Sequence, residues 1–70
     1  MDKEFTDKQK AYLHYLAQGF SDSEIARKMG IVRDAVISNY RDRMLSKTYL
    51  HTRSELVEYA KQNGYGEANG

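Results

Sequence analysis

The residues best equipped for chemistry in this 70-residue chain are its cations. Between positions 25 and 53 stand Arg27, Lys28, Arg33, Arg41, Arg43, Lys47 and Arg53, opposed only by Asp34 and Asp42. That segment carries +5 in a chain whose net charge is +1, and the segments on either side carry −2 each. Cations gathered in the middle third suit a surface that meets phosphate, although a solvated basic helix face gives the same pattern. Other chemistries are poorly supplied. There is no cysteine, hence no disulfide, and His14 and His51 are too few to build a zinc site. No glycine-rich phosphate loop occurs, and so short a chain leaves little room for a pocket. Neither an enzyme, a cofactor nor a small-molecule ligand is expected.

The elements that must position these cations are helical. Proline is absent and the glycines fall singly at Gly19, Gly30, Gly64, Gly66 and Gly70, which suits helix stops better than the frequent turns of an all-β domain. Three capping boxes mark helix starts: Thr6 with Gln9, Ser21 with Glu24, and Thr52 with Glu55. Phe5 precedes the first cap, placed for a hydrophobic staple. Tyr12, Leu13 and Leu16 follow at helical spacing, and Ile25, Ala26 and Met29 give the second helix a short apolar face. The small Ala26 permits close approach at a steep crossing, and a short helix ending at Gly30 before another helical pattern reads as a helix-turn-helix, or as a plain helical hairpin.

In the third helix Val36, Tyr40 and Met44 recur at i, i+4, i+8 and are expected to face the core, with Asp34, Ser38 and Arg41 pointing away and Ile37 at the edge of the two faces. The expectation is an all-α domain with helices near 7–18, 22–29, 33–46 and 53–62. It fills the whole chain, 1–70, with a core over 5–65 and a frayed tail over 66–70. No apolar run approaches a membrane span and no signal peptide opens the chain, so a cytoplasmic location away from membranes is expected. A core this small invites oligomerisation. Leu56, Val57, Tyr59 and Ala60 cannot all face one monomer's interior, which marks the last helix as a homodimer contact.

The stretch Leu16-Ala17-Gln18-Gly19-Phe20-Ser21-Asp22-Ser23-Glu24-Ile25-Ala26, preceded by Phe5-Thr6 and Leu13 and followed by Met29-Gly30-Ile31 and Val36, resembles the LuxR/GerE-type DNA-binding domain. Thr52-Arg53-Ser54-Glu55-Leu56-Val57 with Ala60 resembles the opening of that family's last helix. The resemblance covers about residues 5–65, and the sigma-factor fourth region shares part of it. It implies a four-helix domain that reads double-stranded DNA with helix 3 and dimerises through helix 4. It places Ile37, Ser38 and Arg41 at base edges, and puts Ser21 and Ser23 at a helix start that can donate amides to phosphate. On that reading Lys28, Arg33, Arg43, Lys47 and Arg53 hold further phosphates.

The chain also departs from the family pattern. Val32 stands where the family has a Ser or Thr cap, Ala35 where it has Thr before the core valine, Ile37 where a basic residue follows that valine, and Asn39 where a histidine stands two positions further on. The stretch between Tyr40 and Arg53 reads as one residue longer than the pattern. An apolar patch of Val32, Ala35 and Ile37 is the mark of an interaction site. The alternative is therefore a protein-binding module that antagonises or pairs with another transcription regulator, or one that touches RNA polymerase.

Overall fold

The computed structural model describes residues 5–67 as four helices. They are α1 (Asp7–Ala17), α2 (Asp22–Met29), α3 (Asp34–Thr48) and α4 (Arg53–Gln62). No strand occurs among the described residues. The expected positions 68–70 of the tail lie outside them.

All three capping boxes form. The hydroxyls of Thr6, Ser21 and Thr52 accept the backbone N–H of Gln9, Glu24 and Glu55, and each of those side chains reaches back to the cap's own N–H. Helix α3 has no such box: Arg33 occupies its N-cap without a side-chain hydrogen bond. The helix ends follow one scheme. Gly19, Gly30, Tyr49 and Gly64 have positive φ, and the next residue, Phe20, Ile31, Leu50 or Tyr65, returns its N–H to a carbonyl five positions back and packs its side chain against the core. Tyr49 is the exception in type, with φ +60° where the other three ends use glycine.

The core is Tyr12, Leu13, Leu16 and Ala17 of α1, Ile25 and Ala26 of α2, Ile37 and Met44 of α3, and Leu56 and Ala60 of α4. Helix α1 packs on all three others, α3 packs on α2 and α4, and the backbones of α2 and α4 do not approach each other. The α3 register differs from the expected one. Ile37 is 4 % exposed and Val36 is 38 % exposed, so the core stripe runs Ile37, Met44, Thr48 rather than Val36, Tyr40, Met44. Tyr40 keeps a flank position, stacked on Tyr12 with ring centroids 6.2 Å apart. One residue is 100° of helix rotation, enough to exchange an inward for an outward position.

Two further expectations are corrected by packing. Leu56 and Ala60 are fully buried inside the single chain, so of the four expected contact residues only the half-buried Val57 and Tyr59 reach the surface. Gly66 is not frayed: it is half-buried, its carbonyl accepts from Gln18 Nε2 at 3.4 Å, and a Cβ there would meet Ala17 Cβ at 2.7 Å.

Candidate nucleic-acid interface

Helices α2 and α3 pack together across the turn 30–33, closed by the left-handed Gly30, and the two helices with their turn carry six of the eleven Lys and Arg residues. Because Ile37, Met44 and Thr48 point inward, the opposite side of α3 presents Ala35, Asn39, Asp42, Arg43 and Ser46 to solvent, with Val36 on its flank. Val36, Asn39 and Arg43 border one shallow depression with Tyr40, with Gln9 of α1 and with its N-cap Thr6. The turn itself exposes Val32, 93 % accessible, and Arg33.

The three residues expected at base edges are placed differently. Ile37 is core and cannot reach a base without unpacking the domain. Ser38 is half-buried beside it. Arg41 is folded onto α2, its Nη1 3.1 Å from Asp22 Oδ2. The exposed apolar group is accordingly Val32, Ala35 and Val36, not Val32, Ala35 and Ile37.

Asp22 explains why two arginines are withdrawn. Its carboxylate accepts from Arg41, from Arg53 Nε at 3.0 Å and from the Tyr12 hydroxyl at 3.0 Å, and Arg53 Nη2 donates to the Phe20 carbonyl at 2.7 Å. One carboxylate thus ties side chains of α1, α3 and α4 to the start of α2. It joins α2 to α4, whose backbones do not meet. Burial, then the adjoining Asp22 charge, pushes the Tyr12 hydroxyl well above the ordinary phenol range, which keeps it a donor. Nothing local in the sequence signals these contacts, because the partners of Asp22 lie 10, 19 and 31 residues away.

The remaining cations divide by engagement. Lys28 is exposed, with its Nζ 4.5 Å from the Phe20 ring centroid. Lys47 donates to Gln9 Oε1 at 3.0 Å and lies 5.5 Å from the Phe5 ring centroid. Arg33 and Arg43 are exposed, and so is Arg27, which shares a surface depression with Phe20, Glu24 and Lys28. Arg27 was counted in the charge balance without being assigned a contact; its exposure beside Lys28 brings it forward. Ser21 is occupied by its capping box, while Ser23 is exposed in the first turn of α2. The Ser21 backbone N–H and hydroxyl hold the Glu24 carboxyl below its usual range.

A short capped helix, a tight turn and a longer helix with one side open to solvent, all carried on a small helical core, define a helix-turn-helix domain of the DNA-binding regulator class. The chain belongs to the luxR family of bacterial regulatory proteins, the family called GerE, which it matches over residues 3–60. It is similar to the Fimbriae Z protein of Salmonella typhimurium, with 34% identity over 62 residues, 89% of this chain and 29% of that protein. It is also similar to a response regulator of Synechocystis, with 34% identity over 65 residues, 91% of this chain and 27% of that protein. The chain therefore spans less than a third of the length of these relatives. No solved structure matches it significantly. No helix among the described residues is long and apolar enough to cross a membrane.

Proposed function

We propose that the chain is a transcription-regulating module that lays the solvent face of α3 into the DNA major groove, with α2 across the backbone. The observation that carries this reading is the division of α3. Ile37, Met44 and Thr48 fix one side in the core, while Ala35, Asn39 and Arg43 stand on the other with no helix packed over them. A helix held in this way fits a groove by geometry. Arg27, Lys28, Arg33 and Arg43 supply phosphate contacts together with the first turn of α2, and such contacts fix register without reading sequence.

Two such modules pair through Val57 and Tyr59 of α4, which are half-buried in the single chain. A homodimer places two copies of α3 on successive half-sites, and as a regulator of transcription it acts in the cytoplasm. A protein partner remains the second reading, favoured by Val32 at 93 % exposure, either another regulator or RNA polymerase.

Amide chemical shifts recorded while a short random-sequence duplex is added test the placement. The proposal expects the largest changes in 32–43 and at the start of α2. Changes confined to α4 or to the α1 surface would overturn it.

A further inference from the structure

The front of α3 leaves Val32 at 93 % exposure, Val36 at 38 % and Ala35 open to solvent, directly before Asn39 and Arg43. Val36, Asn39 and Arg43 recur at i, i+3, i+7, and all three border the same depression, so the apolar and polar groups share one strip of surface. On the reading of α3 proposed above, that strip faces base edges. An apolar side chain in the major groove has its best chemical match among the four bases in the C5 methyl of thymine, the one alkyl group displayed there. The amide of Asn39 matches the paired N6 and N7 of adenine, while Arg43 beside it holds phosphate.

We infer that this chain selects half-sites in which thymine methyls meet Val32, Ala35 and Val36, with adenine opposite Asn39. The specificity is carried by methyl contacts at the front of the helix. Ile37 takes no part, because it is buried. Arg41 takes no part either, because Asp22 holds it. A protein ligand for the same edge is the competing occupant. The basic and amide groups interleaved with the valines favour nucleic acid, because Asn39, Arg33 and Arg43 would face an apolar protein surface without partners.

The test is removal of the methyl alone. Duplexes are selected from a random pool by the full chain, and the preferred sequence is remade with each thymine replaced in turn by deoxyuridine. At one or more positions affinity is expected to fall about three- to fivefold, the effect of one buried methyl. Val36→Ala or Val32→Ala, at positions too exposed to endanger folding, is expected to abolish that sensitivity while leaving the salt dependence on unselected DNA unchanged. Equal affinity for thymine and deoxyuridine duplexes, or selection without thymine preference, overturns the inference and leaves DNA binding standing. Failure of the folded chain to bind any duplex at low salt overturns both and returns the apolar edge to a protein partner.

Discussion

Arg41 Nη1 lies 3.1 Å from Asp22 Oδ2, and this contact turns a side chain that the family pattern places at a base edge into a strut between α2 and α3. The same carboxylate holds Arg53, so removing one arginine leaves Asp22 partly compensated. Charge-assisted bonds of this kind contribute about 1.5–3 kcal/mol when shielded. Arg41 is 34 % exposed and Asp22 20 %, so solvent screening reduces that figure. Arg41→Ala is expected to lower unfolding free energy by about 1–2 kcal/mol in urea titrations while the selected DNA sequence stays the same. Unchanged stability with lost base preference would restore Arg41 to the groove.

Stability should fall at both ends of the pH scale for separate reasons. The folded chain holds the Tyr12 proton more tightly than the unfolded chain, whose phenol titrates near 10.0. The stabilisation is complete below that value and is lost as pH rises above it. Burial raises Tyr59 as well, in the same direction. Glu24 and Glu55 are depressed from 4.5, Glu24 by hydrogen bonds from Ser21 and Glu55 by the N–H groups of His51 and Thr52. Their contribution is present above that value and lost as pH falls through the lower folded ones. Thermal midpoints across pH check both limbs, and Tyr12→Phe should flatten the alkaline limb alone.

Tyr49 carries a conformational penalty with no packing to offset it, at φ +60° and 84 % exposure. The left-handed region disfavours a side chain by about 1–2 kcal/mol, and glycine's extra chain entropy returns about 0.5–1. Tyr49→Gly should therefore raise unfolding free energy by as much as about 1 kcal/mol in denaturant titrations. A clear loss of stability would mean that the ring makes a contact in solution.

Within α4 the expected interface residues should separate into two classes. Val57→Asp and Tyr59→Asp are expected to shift sedimentation to the monomer with helical circular dichroism retained. Leu56→Asp, at 0 % exposure, is expected to unfold the chain by burying a charge. A wild-type chain that sediments as a monomer at high concentration would contradict dimerisation.

The helix starts were legible because capping is local. Thr6, Ser21 and Thr52 find their partners three residues on, within a spacing the sequence displays directly. The phase of α3 was not, because that helix has no box, and its inward face depends on where the turn after Gly30 releases the chain. That single residue exchanged Val36 for Ile37, and with it one member of the apolar patch. The Asp22 cluster was hidden for a different reason. A helix first turn accounts for an aspartate by itself, and only the fold brings Tyr12, Arg41 and Arg53 to it.

The most direct test of the DNA-binding reading is a titration of random-sequence duplex DNA at rising salt. With Arg41 and Arg53 engaged by Asp22, the exposed Arg27, Lys28, Arg33 and Arg43 are the main source of phosphate contacts. Log affinity should then fall linearly with log salt, with a slope of about −3 to −4 per bound protomer. Arg43→Ala should flatten it by roughly one unit. A folded chain that shows no affinity for duplex DNA at low salt, or an affinity indifferent to salt, would contradict the account.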